Sequence, residues 1–383
     1  MKVLLVHNEY GKFSGEESVF FAQLRALKKN SVLVESYVID STKTPSSISD
    51  KVIAFFSGIF SVVSFIKIYK QVRKKKIDIV HFHNIYPWLS VSSLLAARLA
   101  NAKIVFTLHN FKHICPSATL AFKGKLYLKG VIKGPVYTLY DNVQGNYFKS
   151  LGYYLRFKSE RLLCMTRLVD KFVFISSLQK EIYDKYCDKM SKAGVVIPNF
   201  LEQEVYDILN NISGTRDSDR DSKIKIGFVG RLTSEKGFDL FLKLAEKHKS
   251  KEFLVFGDGD EKAASNIRYQ GNLPRKELLT AYAALDILVV PSVTYETFSL
   301  VALEALVAGR KVVVTDKVGI SSYENKFENL TVVSSESELF EYFENYKFQS
   351  ASKQNFELCE SFLEKGFVEK TIDLYESLIH ECK

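Results

Sequence analysis

One pattern occurs twice in this chain, and it limits the folds open to it. "KVLLVHNEYGKFSGEESVFFAQLRAL", from Lys2, is an apolar run, a glycine-containing loop and an amphipathic stretch. "KIKIGFVGRLTSEKGFDLFLKLAEK", from Lys223, repeats that order. Short apolar runs then alternate with helix-period segments, at 32–38, 78–82, 103–107 and 172–175, and again at 253–256, 286–290 and 311–314. Strands buried on both faces read as such runs, and parallel strands need a crossover between them. The alternation therefore predicts an α/β chain with two parallel sheets, each covered by helices. Such sheets take ligands beyond the carboxyl ends of their strands, so the loops after strands are the places to search.

A length of 383 residues exceeds one ordinary hydrophobic core. The pattern divides it into an N-terminal domain, 1–200, and a C-terminal domain, 223–364. Between them "NNISGTRDSDRDSK", from Asn210, is polar and rich in turn formers, so 201–222 is expected as a hinge. A last helix is expected over 365–383, with Phe367, Ile372, Leu374, Tyr375 and Leu378 apolar. The five cysteines are scattered without metal-ligand spacing and read as reduced thiols of a cytoplasmic protein. "MKVLLVHNEYG" is too short an apolar run for a secretory signal. The longest apolar stretch, Val52–Ile66, falls short of the ~20 residues of a spanning helix. It reads as a partly buried helix or as one lying on a membrane surface.

Four loops carry candidate chemistry. In "FVGRLTSEKGF", Gly230 lets the backbone turn closely, and Arg231 and Lys236 offer two cations before a helix, a cradle for a diphosphate. The alternative is two solvated charges. In "KFSGEES", Gly15 can bring N–H groups near an anion; the alternative is a helix cap from Ser14. In "TLHNF", His109 ends a strand and can bond a hydroxyl, or is held by its own loop. His81, His83 and Asn84 in "HFHNIYP" have no carboxylate at metal spacing, and Asp258-Gly259-Asp260 reads as a turn, so no metal site is expected. The fourth loop is "YETFSLVALEALVAG". Glu296 precedes a helix and Glu304 lies inside it among apolar neighbours, where a carboxylate is costly unless polar hydrogens meet it. Sugar hydroxyls would serve, and so would a buried Arg or Lys. The N–H groups of Phe298, Ser299 and Leu300 are open at the helix start.

Taken together, "GRLTSEKG", the Glu-x7-Glu of "ETFSLVALE", "TLHNFKHICP", "HFHNIYP" and "VVIPNF" resemble glycosyltransferase family 4 over nearly the whole chain. In detail the resemblance is to bacterial enzymes of capsular, O-antigen and exopolysaccharide synthesis. It implies the GT-B fold, two Rossmann-like domains with parallel sheets facing across a cleft. It implies retaining transfer of a sugar from a nucleotide-diphosphate sugar (a UDP- or GDP-sugar) without metal or cofactor. By resemblance Arg231 and Lys236 bind the diphosphate, Glu296 the transferred sugar and Glu304 the ribose. Gly15, Gly230 and the N–H groups of Phe298, Ser299 and Leu300 line the phosphates and sugar, and His109 lies near the sugar. Thr297 and Ser299 stand where the family often has glycine, which narrows the sugar pocket.

Charge is uneven. Residues 1–200 hold 30 Lys and Arg against 13 Asp and Glu, a balance of +17, and the remainder carries −8. From 121 to 168, Lys123, Lys125, Lys129, Lys133, Lys149, Arg156, Lys158, Arg161 and Arg167 are interleaved with Tyr and Phe, which suits an anionic headgroup layer. With the resemblance, this predicts an enzyme on the inner face of the membrane acting on a glycan or lipid-linked glycan, and no nucleic-acid partner. Two other readings stay open: a sugar-nucleotide epimerase of similar architecture, and a nucleic-acid-binding protein driven by the basic half.

Overall fold

The structure, a computed structural model, describes residues 1–9, 15–40, 47–213, 223–262, 264–346 and 360–380. The chain divides into two units: 1–120, 127–199 and 364–383 form one, and 121–126 with 200–363 the other.

The strands are, in chain order, β1 (Lys2–Asn8), β2 (Leu33–Ile39), β3 (Ile79–Phe82), β4 (Lys103–Leu108), the short β5 (Ala121–Phe122) and β6 (Lys125–Leu126), β7 (Lys171–Phe174), β8 (Gly194–Val196), β9 (Lys225–Val229), β10 (Glu252–Phe256), β11 (Ile267–Gly271), β12 (Ile287–Val290), β13 (Lys311–Thr315) and β14 (Leu330–Val333). The first unit holds a six-stranded sheet of order β2-β1-β3-β4-β7-β8, and the second a six-stranded sheet of order β11-β10-β9-β12-β13-β14. Every pairing in both sheets is parallel. The strand order reverses beside β1 in the first sheet and beside β9 in the second. Those are the switch points at which a doubly wound sheet opens a crevice.

Central strands are uniformly buried, as β3 and β12 are, because helices cover both sheet faces. Around β9 the core is Ile226, Phe228, Phe238, Phe241, Leu244, Phe253 and Val255. The last helix, Glu364–His380, belongs to the first unit: Tyr375 is buried there and its hydroxyl lies 2.6 Å from His81 Nδ1.

Three expectations change. Within 201–222 a helix forms over Gln203–Ile212, and Leu201 pairs with Leu363, so this part belongs to the second unit; 214–222 lie outside the described residues. The helix is tied in by Arg310, buried, whose guanidinium donates to Ile212 O at 3.0 Å. Val52–Ile66 is two helices, Ile48–Ile59 and Val62–Lys75, bent by 56°. Arg156, counted above as a surface cation, is buried and paired with Glu160 Oε1 at 3.1 Å. Cys115 and Cys187 are buried thiols and Cys164 is exposed, while Cys359, Cys382 and Ser14 lie outside the described residues.

Candidate functional site

In the second unit the site begins where β9 ends. Gly230 has φ +146° and Gly257 φ +147°, and a Cβ on Gly257 would fall 1.9 Å from Gly230 O. Only glycine lets the two strand ends approach this closely. The loop is zipped to its neighbour by Gly230 N donating to Phe256 O and Leu232 N to Asp258 O, each at 2.9 Å. Asp258-Gly259-Asp260, expected as a turn, instead continues the strand end, with Gly259 in a parallel bridge to Leu232. Arg231 follows, exposed, with no side-chain partner among the described residues. After a short 3-10 turn, Ser234–Lys236, Gly237 at φ +73° starts the helix Phe238–Lys247; a Cβ there would meet Pro291 O at 1.8 Å. That contact sets Lys236 against the loop after β12.

Lys236 Nζ lies 2.9 Å from Glu296 Oε2, and Ser292 Oγ donates to the other Glu296 oxygen. Lys236 and Glu296 are one-third and about one-seventh exposed, so the pair is open to a ligand on one side. The backbone of Glu296 is held on both sides, its N–H donating to Lys317 O and its carbonyl accepting from Gly319 N, both at 2.9 Å. Beyond it Phe298 is buried, 6.2 Å from the Phe362 ring and stacked on it. Ser299 has φ +126° and ψ 93°, a conformation costly for any residue with a Cβ, and its buried hydroxyl has no hydrogen-bond partner among the described residues. The helix Leu300–Val307 starts here. The N–H groups of Phe298, Ser299 and Leu300 have no acceptor among the described residues. A carboxylate, a cation and a helix start thus stand on one short loop pair.

Glu304 is not exposed at all. Its Oε1 takes a bond from Arg275 Nη2 at 2.5 Å and its Oε2 one from the Tyr282 hydroxyl at 2.8 Å. Of the two partners left open by the sequence, the structure gives it the arginine. Burial, and then the Glu304 charge, push the Tyr282 hydroxyl well above its ordinary value, so it stays a donor. Arg275 and Tyr282 were missed by the sequence reading, and no spacing rule points to them, since Arg275 opens a different helix, Arg275–Ala281.

In the first unit His109 ends β4, and its Nε2 lies 2.8 Å from His83 Nδ1, with the rings stacked. His83 stacks in turn on His81, at 4.6 Å between centroids. His7, at the end of β1, stacks on Phe20, and neither of its ring nitrogens has a hydrogen-bond partner among the described residues. Burial, with the Lys112 charge second, lowers His7 to about 3; burial lowers His81 to about 3 and holds His83 and His109 well below their usual range. All four are neutral at pH 7. Lys112, unnoticed in "NFKH", is buried and donates to Asn84 Oδ1 at 2.9 Å; burial lowers it to about 8 against the opposing pull of Glu16. Gly15 opens the helix Gly15–Lys29, exposed, with nothing where its Cβ would be. No group of three metal-ligating side chains occurs among the described residues.

Comparison with known proteins gives two family-model matches: Glycosyltransferase Family 4 over residues 45–205, and Glycosyl transferases group 1 over 223–344. An uncharacterised 42.6 kDa protein in the cps region of Klebsiella pneumoniae is 30% identical over 254 residues, 64% of this chain and 58% of that one. The chain thus matches less than two thirds of that relative's length. A Rickettsia africae glycosyltransferase superposes with TM-score 0.63 at 16% identity, over 99% of this chain and 98% of that one. Anabaena HepE, solved with UDP-glucose, gives 0.62 at 13% identity, over 98% and 100%. These two show the fold, the GT-B architecture of paired Rossmann-like domains. Each unit thus matches a glycosyltransferase family model, the first that of Glycosyltransferase Family 4 and the second that of Glycosyl transferases group 1.

Proposed function

We propose that this chain is a retaining, metal-independent glycosyltransferase. It moves a sugar from a UDP- or GDP-sugar to a glycan carried on a polyprenyl diphosphate, in bacterial surface polysaccharide synthesis. The observation that carries the reading is the Lys236–Glu296 pair beside the unpartnered N–H groups of residues 298–300. Departure of a nucleoside diphosphate builds negative charge on a phosphate oxygen. Arg231, Lys236 and the helix start supply preorganised positive charge there without a metal. Glu296 accepts hydroxyls of the transferred sugar, and Lys236 exchanges the carboxylate for phosphate. Gly15 and Gly230 admit the phosphates to the backbone. His109, neutral, bonds a sugar hydroxyl. Glu304 takes the ribose hydroxyls by exchanging Arg275, which is about half exposed and can turn to water. The leaving phosphate takes the acceptor proton, so no side-chain nucleophile is required.

The relative's place in a cps region supports a polysaccharide role. The basic first unit supports a site on the inner face of the membrane, where a lipid-linked acceptor is held. A nucleic-acid-binding protein would leave the Arg231, Lys236 and Glu296 set without a purpose, and an epimerase would need no acceptor.

Thermal unfolding with UDP, GDP, ADP and dTDP, each with and without magnesium, tests the donor site. A nucleotide at about 100 times its dissociation constant adds about 2.7 kcal/mol. One nucleotide should raise Tm, alike with and without magnesium, and lose the effect in Lys236→Ala. No shift with any of them would overturn the reading. Release of free nucleoside diphosphate only when acceptor is added would separate transfer from epimerisation.

A further inference from the structure

The helices Ile48–Ile59 and Val62–Lys75 present an apolar surface that the first unit leaves uncovered. Val52, Ile53 and Phe56 on the first helix are 49%, 56% and 62% exposed, and Val62, Val63 and Ile66 on the second 59%, 63% and 45%. Phe60, at the joint, is exposed as well. The opposite side of the second helix is conventional: Ser64, Ile68 and Val72, four apart, are buried. So the exposed residues form a second apolar stripe, where a helix on a protein surface normally carries charge. Apolar patches of this kind mark interaction sites.

The bend between the helices is built in. Ser61 is buried, and its N–H lies 3.0 Å from Ser90 Oγ and 3.2 Å from Ser92 Oγ, while Ser92 Oγ donates back to Ser61 O at 2.9 Å. Ser61 also caps the second helix through Ser64 N. Phe55 packs on Gly152 of the helix Tyr147–Leu162, where a Cβ would sit 3.1 Å from the ring. A 56° bend held this way keeps the pair from acting as one straight span, although together the two helices are long and apolar enough. No single described helix is.

Charge decides what covers the surface. Residues 48–76 hold seven cations, Lys51, Lys67, Lys70, Arg73 and Lys74 to Lys76, against one acid, Asp50, and of the seven Lys75 is paired with Glu35. A second copy meeting this face across a two-fold axis would set like charges against each other. An anionic lipid layer meets both features at once, taking the apolar stripe into the headgroup–acyl boundary and the lysines at its phosphates.

We propose that this bent helix pair is the lipid-seating element of the chain, lying in the plane of an anionic membrane with Phe56, Phe60, Val63 and Ile66 inserted. It rests on the membrane-bound reading above and departs from the 121–168 segment as the contact. That segment has exposed rings at Tyr140, Tyr147 and Phe148 but spends Arg156 inside the unit.

The test uses the full chain and vesicles of phosphatidylcholine with about one third phosphatidylglycerol. Wild type should cosediment with them. Phe56→Ser with Val63→Ser should weaken partition at least about tenfold, while the nucleotide-induced rise in Tm stays as in wild type. Phe56→Trp should add a blue-shifted emission on vesicle binding, over the signal of Trp88. Unchanged binding in the double variant, with the blue shift found instead in Phe148→Trp, would overturn the assignment and leave the membrane reading standing. No binding by wild type would overturn both. A dimer in vesicle-free solution that the double variant turns into monomer would overturn the proposal in favour of self-association.

Discussion

Glu304 and Ser299 sit five residues apart and show opposite economies. Glu304, fully buried, is held by Arg275, which is about half exposed, and by Tyr282. Removing the arginine leaves a buried carboxylate with one neutral donor, whereas removing the glutamate leaves a cation that can turn to water. Breaking a buried pair costs about 3–5 kcal/mol when the remaining charge stays buried. Urea unfolding should therefore show Arg275→Ala near about 3 kcal/mol and Glu304→Gln clearly less, since glutamine still accepts from Tyr282. The reverse order would mean that Tyr282 alone holds the charge. Ser299 stores strain instead. Its φ of +126° is open to glycine, and its hydroxyl is buried without a hydrogen-bond partner among the described residues. Ser299→Gly relieves about 1–3 kcal/mol of strain and loses about 0.5–1 kcal/mol to chain entropy. A net gain of about 1 kcal/mol is expected. A loss on substitution would show that the hydroxyl is engaged in the folded state. Strain beside the loop proposed to hold the sugar is what a preorganised site would keep, so the same variant should change the ratio of rates with two donor sugars.

The histidines at the ends of β1, β3 and β4 make the first unit sensitive to acid. His7 and His81 have folded values of about 3, and His83 and His109 also lie well below an unfolded histidine near 6.5. A depressed histidine contributes its stability above pH 6.5, and loses it as pH falls from there toward 3, because the unfolded chain takes up the proton first. Each contributes a slope of up to about 1.4 kcal/mol per pH unit. Lys112, lowered to about 8, is charged in both states at pH 7 and adds no slope below it. Urea unfolding of the first unit should therefore weaken between pH 6.5 and 5, and His7→Gln should flatten that slope by about one proton. An unchanged slope would mean His7 is protonated when folded. Much at this scale was legible in the sequence. The apolar runs placed β1, β3, β4, β9, β10, β12 and β13 within a residue or two, because strands buried on both faces write a continuous apolar word. β11 was not legible: only Ile267 of its five residues is buried. The helix Gln203–Ile212 hid behind "NN", since tertiary packing under Arg310 outweighed turn propensity. Lys236 and Glu296 could be named from their loops, but their 2.9 Å contact joins residues 60 apart, and no local pattern encodes that.

Across the whole chain, the charge is divided, +17 in residues 1–200 and −8 beyond. Counting by sequence overstates what the basic half offers outside, since Arg156 and Lys112 are buried. Seven of the remaining cations lie in 51–76, beside the apolar stripe of Ile48–Ile59 and Val62–Lys75. The two contributions to lipid binding respond differently to salt. Exposed charge attraction is screened over about 10 Å at 0.1 M and about 3 Å at 1 M, whereas apolar burial is not weakened by salt. Binding to anionic vesicles should therefore fall as salt rises from about 0.05 to about 0.5 M and then level off above zero. The double variant Phe56→Ser with Val63→Ser should instead fall to nothing at high salt, because only its charges remain. A basic face binding by charge alone, as nucleic-acid binding would require, gives a log–log line of steep slope with no plateau. Cosedimentation across that salt range, for wild type and the double variant side by side, distinguishes the two. A plateau lost in the variant assigns the residual affinity to the helix pair, and a wild type without a plateau removes it.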